Sequence, residues 1–131
     1  MPKQSAERDH IKALLRKLDS QPLQAFPAPR GKLEAPRTHG VYLIRSIAGE
    51  VLHVGRTVSA KNGLAQRLRN HLDGKSSFVR SYLNGDARVL RDNHSFQCIE
   101  VEDDRERALL EHCAVAWYCP AHLGLGRDGH E

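Results

Sequence analysis

The stretch from Gly40 to Gly55 reads GVYLIRSIAGEVLHVG and carries the strongest structural signal in the chain. Its two ends, GVYLI and VLHVG, are short apolar runs rich in β-branched and aromatic residues. Separated by a short segment that contains a glycine, they predict the two strands of a tight β-hairpin. A two-residue turn at Gly49 and Glu50, with glycine in the first position, gives a loop of even length.

This loop length determines which side chains share a face of the hairpin, because side chains alternate along a strand and cross-strand partners point the same way. The face with a phenol, an imidazole and a hydroxyl group holds Tyr42, Ile44, Ser46, Val51, His53 and Gly55. The other face is apolar and is expected to cover the core; it holds Val41, Leu43, Ile47, Leu52 and Val54. A loop of odd length would destroy this separation.

Length and composition describe one ordinary globular domain. The chain has 131 residues, of which 40% are hydrophobic and 27% are charged, enough for a single core. No apolar run is long enough to span a membrane and no signal sequence opens the chain, so a cytoplasmic protein is expected. The three cysteines lack the spacing of a disulfide framework and are expected to be free thiols.

Charge is distributed unevenly along the chain. The net charge is +4, but residues 53–91 carry eight Lys or Arg against two acids, whereas residues 92–131 carry nine acids against three Arg. A basic middle segment suits a protein that meets a polyanion along one surface. A solvated surface whose two halves attract each other is the alternative interpretation.

Three helices are predicted around the hairpin. Residues 5–19 form an amphipathic helix, followed by a Pro-rich strap over residues 20–36 that is expected to lack regular structure. Residues 64–72 form a second helix, on which Arg67 and His71 are four apart and therefore look toward the same place beside the hairpin. A third helix begins at Asp103 or Asp104 and ends before Pro120.

The third helix carries an apolar stripe, with Glu111 at its margin. The predicted stripe consists of Ala108, Leu109, Leu110, Cys113, Ala114, Ala116 and Trp117. A carboxylate in this position either extends from the edge of the stripe into solvent or is placed to bind a metal.

Two further elements complete the prediction: a short helix over residues 78–83, packed through Val79, Tyr82 and Leu83, and a third strand over residues 96–101. The order helix, β, β, α, α, β, α predicts an α+β domain with a small, mainly antiparallel three-stranded sheet flanked by helices.

Several linked motifs resemble the GIY-YIG nuclease family. They are GVY at Gly40, HVGRT ten residues after it, and the helix sequence GLAQRLRNHL that begins at Gly63. One position departs from the family pattern, since the first residue of the second motif is ordinarily Tyr and is His53 here. The likeness covers residues 38–122 and implies the same α+β architecture.

The resemblance implies a role for each of several residues. It implies catalytic positions at Tyr42, Arg67 and His71, and a metal-binding glutamate at Glu111, in a segment that ends at Pro120. His53 occupies the position of the second-motif tyrosine. The asparagine that often follows the proline is not present; His122 lies nearby, and the sequence does not assign it this role.

The chemistry of these residue types fits phosphodiester hydrolysis. Arg67 offers a planar set of donors to a phosphate, and Glu111 can hold one hard cation, Mg²⁺ or Mn²⁺, that keeps several waters. Tyr42, His53 and His71 remain to orient or deprotonate water, and an imidazole is already a competent base near neutral pH. The nucleic-acid-binding residues are predicted to be Arg56, Lys61, Arg69 and Lys75.

The sequence therefore predicts a divalent-metal-dependent DNA endonuclease. The predicted parts are an N-terminal extension (residues 1–37), the nuclease domain (38–122) and a flexible tail (123–131). Two alternatives stay open: a degenerate module that only binds nucleic acid, and a nuclease subunit that depends on a protein partner or on homodimerisation. A structural zinc site built from His112, Cys113, Cys119 and His122 is a weaker alternative, because no second ligand pair at zinc-finger spacing exists.

Overall fold

The computed structural model describes residues 2–58 and 61–124. Its elements are α1 (Pro2–Asp19), β1 (Gln24–Ala25), β2 (Gly40–Arg45), β3 (Val51–Arg56), α2 (Gly63–Leu72), a π-helical turn (Phe78–Tyr82), a 3₁₀ turn (Ala87–Arg91), β4 (Ser95–Glu100) and α3 (Asp104–Tyr118).

The sheet has four antiparallel strands in the order β1-β4-β2-β3, so the α+β architecture is confirmed but the strand count of three is wrong. The added strand, β1, lies in the Pro-rich strap that was predicted to be irregular. It contains only two residues, Gln24 and Ala25, and pairs with the outer side of β4. A strand this short at a sheet edge fits between prolines because it needs few backbone donors.

Both faces of the sheet are buried, which corrects the expectation of one apolar and one polar face. Every residue of β2 from Gly40 to Ile44 is buried. One face packs against α2, the π-helical turn and Phe26 and Leu33 of the strap. The other face packs against α1 and α3. The polar groups on the first face are therefore enclosed by protein.

The hairpin loop has three residues, Ile47 to Gly49, and not the two that were predicted. Ser46 and Glu50 close it, because the Ser46 N–H donates to the Glu50 carbonyl at 2.9 Å. Gly49 adopts a φ of +90°, as expected for the last residue of such a loop.

A β-bulge compensates for this odd loop length. The strand pairing shifts between Ile44 and Arg45, so that Ile44 pairs with His53 while Arg45 pairs with Val51. Val51 and Leu52 consequently exchange faces relative to the prediction. Because the bulge absorbs one residue, Tyr42 and His53 still lie on the same face.

The predicted start of α3 is confirmed, but its predicted apolar stripe is partly wrong. The Asp103 carboxylate caps the helix by accepting the Glu106 N–H at 2.9 Å. The buried helix residues are Arg107, Leu110 and Ala114, whereas Trp117 is 73% exposed. Trp117 lies in the last turn of α3, where sequence periodicity alone could not show that its side chain is exposed.

Within the described ranges, none of the helices combines the length and the apolar character needed to cross a membrane.

Candidate active site

A groove of about 700 Å³ lies beside β3, between α2 and α3. We call it the main groove. Four of the predicted site residues line it: His53 and Arg56 from β3, Arg67 from α2 and Glu111 from α3. These residues come from three separate elements, so the tertiary fold brings them together.

Helix α2 separates its two predicted catalytic residues between the main groove and the protein interior. Leu64 and Leu68 are completely buried and fix the helix against the sheet. Arg67 is half-buried and lines the groove. His71, one turn further along, is completely buried, behind the residues that line the groove.

His71 is the centre of a buried polar chain, Ser76–His71–Tyr42. Its Nε2 lies 2.7 Å from the Tyr42 hydroxyl and its Nδ1 lies 2.7 Å from the Ser76 hydroxyl. The Ser76 oxygen also accepts the Val79 N–H at 3.2 Å. Tyr42 and His71 are both 0% exposed, so this chain is sealed from solvent.

Gly55 makes room for the Tyr42 ring. A Cβ atom at position 55 would lie 2.3 Å from the Tyr42 hydroxyl oxygen, closer than any real contact allows. The glycine of the second motif is therefore required by the position of the tyrosine of the first motif, which is its cross-strand partner.

His53 connects the buried polar chain to the main groove. Its ring centroid lies 5.0 Å from that of His71 and 6.0 Å from that of Tyr42, and the ring stacks on Phe78 at 4.9 Å. The imidazole is 3% exposed. Its Nε2 and the Nε of Arg67 are buried without a hydrogen-bond partner among the described residues.

Burial keeps both histidines neutral. Desolvation, followed by the charge of Arg67 and then that of His122, lowers the pKa of His71 to about 3. Desolvation and the neighbouring His71, His122 and Arg67 hold the pKa of His53 well below its usual 6.5. Each ring thus presents one donor and one acceptor nitrogen at neutral pH.

Glu111 forms an ion pair with Arg56 inside the main groove. Arg56 Nη1 donates to Glu111 Oε1 at 2.5 Å, and both side chains are less than a third exposed. Glu111 is the one carboxylate among the described residues that line this groove. One carboxylate suits a Mg²⁺ ion that keeps several waters, and such an ion would share Glu111 with Arg56 or displace it.

The remaining basic candidates lie outside the main groove. Arg69 and Lys75, together with Arg37, line a second groove of about 280 Å³, which we call the basic groove. Gln66 and Asn70 line both grooves, so the two are adjacent across α2. Lys61 is exposed in the turn before α2.

Comparison with known proteins relates this chain to UvrC, both in sequence and in fold. The chain is 31% identical over 97 residues to UvrABC system protein C of Treponema denticola, an alignment that spans 74% of this chain and 13% of that relative. The structure resembles the GIY-YIG N-terminal endonuclease domain of UvrC from Thermotoga maritima bound to magnesium, its catalytic divalent cation, with a TM-score of 0.50. That match has 23% sequence identity and covers 68% of this chain and 86% of that domain.

The chain has the GIY-YIG fold. A second match is to a point mutant of the same Thermotoga maritima domain, with 22% identity and the same TM-score and coverage. No protein-family model matches the chain.

Sequence reasoning missed one residue at the candidate site of this GIY-YIG domain. His122 lines the main groove, is 9% exposed, and places its Nδ1 3.2 Å from His53 Nδ1. The available signal was its position two residues after Pro120, close to where the family often has an asparagine. The sequence could not show that this segment returns to the edge of β3.

The residues of the alternative zinc site make separate contacts and do not converge on one point. His112 Nδ1 contacts the Ala108 carbonyl within α3, Cys119 Sγ donates to the Ala116 carbonyl, and His122 contacts His53. The three cysteines are free thiols, and burial raises the pKa of Cys98 to about 11. Across residues 2–58 and 61–124, no group of three or more His, Cys, Asp or Glu is arranged to hold a metal.

Proposed function

We propose that this GIY-YIG domain is a metal-dependent endonuclease that hydrolyses phosphodiester bonds in DNA. The observation that carries the proposal is the convergence of Arg67, Glu111 and His53 on the main groove from three different elements. The UvrC domain that it resembles is an endonuclease domain that binds magnesium. The chain spans only 13% of the length of its Treponema denticola relative, so the activity proposed for it is cleavage alone.

Each groove residue has a chemical task in this proposal. The Arg67 guanidinium contacts the scissile phosphate, where its charge favours the transition state over the ground state. Glu111 holds Mg²⁺ or Mn²⁺, which when bound polarises the phosphate and lowers the pKa of a bound water. His53 is neutral and has a buried nitrogen without a partner, so it orients or deprotonates the attacking water.

The adjacent basic groove extends the proposed DNA contact. Three basic residues, Arg37, Arg69 and Lys75, and one acid, Asp73, line a concave surface that is therefore positive and adjoins the main groove. Phosphate contacts of this type position a nucleic acid without reading its sequence. We therefore assign Arg69 and Lys75 to binding of the DNA backbone on one side of the cleaved bond, and Lys61, in the turn before α2, to the same surface.

Nicking of supercoiled plasmid tests the proposal directly. We expect cleavage with Mg²⁺ or Mn²⁺ and none with EDTA. Glu111→Gln should reduce the rate by about 100-fold or more, because it removes the carboxylate that is proposed to hold the metal. Glu102→Gln, a change of an exposed acid outside the groove, is the matched control and should cleave like the unmodified chain.

One observation favours a second candidate function, a module that binds nucleic acid without cleaving it. The Arg56–Glu111 ion pair occupies a carboxylate oxygen that the metal would use. A plasmid that is bound but stays intact with either metal would support this second function and contradict the first. Cleavage that survives Glu111→Gln would contradict the proposed metal site.

A further inference from the structure

The contact between His53 and His122 is the least explained feature of the main groove. The two Nδ1 atoms are 3.2 Å apart and the ring centroids 5.3 Å apart. A hydrogen bond between two nitrogens requires one to donate and the other to accept. The position of the proton on one ring therefore determines its position on the other.

The backbone holds His122 in this place. The His122 N–H donates to the Leu52 carbonyl at 2.8 Å, and the Ala121 N–H donates to the Val51 carbonyl at 3.2 Å. Both acceptors lie at the β-bulge, directly before His53. The segment after α3 thus lies along the free edge of β3, so the histidine contact is built into the fold.

The environment of the second His53 nitrogen indicates the direction of the hydrogen bond. His53 Nε2 is buried and has no partner among the residues that the structure describes. A buried N–H without an acceptor is rarer in proteins than a buried acceptor with a lone pair unused. The favoured arrangement places the hydrogen of His53 on Nδ1, where it is donated to His122 Nδ1.

We propose that His122 is a positioning residue, which holds His53 in the tautomer whose Nε2 carries a lone pair and receives a proton from the attacking water. This inference rests on the proposed nuclease function. It gives a role to His122, a residue to which the GIY-YIG motifs assign none. It also gives the replacement of tyrosine by His53 a chemical consequence, because an imidazole has two tautomers and a phenol has none.

In the proposed step, water attacks the phosphorus atom and His53 Nε2 acts as the base. A water O–H bond breaks, its proton joins His53 Nε2, and the oxygen forms a bond to phosphorus. The bond from phosphorus to the leaving oxygen breaks, and that oxygen keeps the electron pair and takes a proton from solvent. The His53 imidazolium that forms still donates its Nδ1–H to His122 Nδ1. Its positive charge strengthens this hydrogen bond.

Long-range ¹H–¹⁵N NMR of the histidine rings tests the tautomer without any measurement of cleavage. In the unmodified chain, His53 should carry its proton on Nδ1 at pH 7. In His122→Asn, the side-chain oxygen can still accept that proton and the tautomer should persist. In His122→Phe, which keeps the ring volume but has no acceptor, the Nδ1–H tautomer should no longer dominate. A His53 proton on Nε2 in the unmodified chain, or a tautomer unaffected by His122→Phe, would overturn the proposal.

Kinetics with the same variants test the catalytic consequence. His122→Phe should lower kcat by roughly 100-fold, the lower end of what a general base contributes, with little change in KM, and His122→Asn should recover most of that loss. His94→Phe, at a histidine whose Nδ1 contacts the Asp92 carbonyl, is the matched control and should leave kcat unchanged. Equal losses in the Asn and Phe variants would contradict a positioning role.

The two experiments separate failure of this inference from failure of the proposed function. A chain that shows the Nδ1–H tautomer but never cuts DNA contradicts the nuclease proposal. A chain that cuts DNA with His53 protonated on Nε2 contradicts the His122 proposal alone.

Discussion

The main groove and the buried polar chain adjoin the same residue, His53, but their environments are opposite. The groove holds two arginines and a glutamate that solvent reaches, and two of these form an ion pair. The polar chain of Tyr42, His71 and Ser76 is fully enclosed, and its histidine is neutral. Charged groups that solvent reaches can contact a phosphate directly, whereas the enclosed groups lie behind His53, whose ring contacts both Tyr42 and His71.

This difference divides the five predicted catalytic residues into two classes. Arg67, Glu111 and His53 line the groove, and Tyr42 and His71 lie behind it. We infer that residues of the first class contact substrate, metal or water. Residues of the second class set the position and protonation of His53 and support the fold.

The largest expected effect tests the groove. Arg67→Ala should reduce the cleavage rate by about 100- to 1000-fold, because a guanidinium on the transferring phosphate acts mainly in the transition state. The free energy of unfolding should change little, because the Arg67 side chain is half-buried and its Nε has no hydrogen-bond partner to lose among the described residues. The measurements are single-turnover cleavage and urea unfolding.

Arg8→Ala, on the exposed face of α1, controls for the loss of one positive charge. If Arg67→Ala lowers the free energy of unfolding but cleaves DNA normally, Arg67 supports the fold and does not contact the substrate.

A smaller effect tests the buried polar chain. Tyr42→Phe removes the hydroxyl that lies 2.7 Å from His71 Nε2 and leaves that nitrogen buried without this partner. The expected cost is about 1–3 kcal/mol in the free energy of unfolding, with a loss of cleavage rate smaller than that of Arg67→Ala. Urea unfolding and the same cleavage assay measure both quantities.

Tyr118→Phe, which removes a hydroxyl that contacts Asp19 at the far side of the sheet, is the control for loss of a phenol. If Tyr42→Phe abolishes cleavage while stability is unchanged, the Tyr42 hydroxyl takes part in the chemistry and the division into two classes fails.

The smallest expected effect is a pH dependence of stability that comes from the buried chain. Because the pKa of His71 is lowered from 6.5 to about 3 on folding, the unfolded state takes up a proton below pH 6.5 that the folded state does not. Stability is therefore lost as pH falls from about 6.5 toward about 3, by about 1 kcal/mol per such histidine between pH 7 and 5.5. Urea unfolding over this range measures it.

His71→Gln has no titrating ring and should lose about 1 kcal/mol less over the same interval. His53, also neutral, contributes in the same direction and remains in the variant. An identical pH dependence in both chains would show that His71 is not held neutral by burial.

Most secondary-structure elements of this protein could be predicted from the sequence, because the information that specifies them is local. The hairpin runs, the apolar spacing of α2 and the Asp103 cap each depend on neighbours within a few residues, and the structure confirms the elements that they predicted. Arg67 and His71 do not face the same place as expected, because Arg67 lines the groove and His71 is buried behind it. Tyr42 and His53 share a face of the hairpin as predicted. They do so only because a β-bulge compensates for the odd number of residues in the hairpin loop.

Which side chains are exposed and which residues complete the site depends on tertiary packing. The sequence could not distinguish Trp117, which is exposed, from Arg107, which is buried and donates to the carbonyls of Thr57 and Val101. Nor could it show that Arg56 pairs with Glu111, or that His122 reaches His53 from 69 residues away. Such contacts depend on how helices and strands pack against each other, and the chain has no local pattern that records this packing.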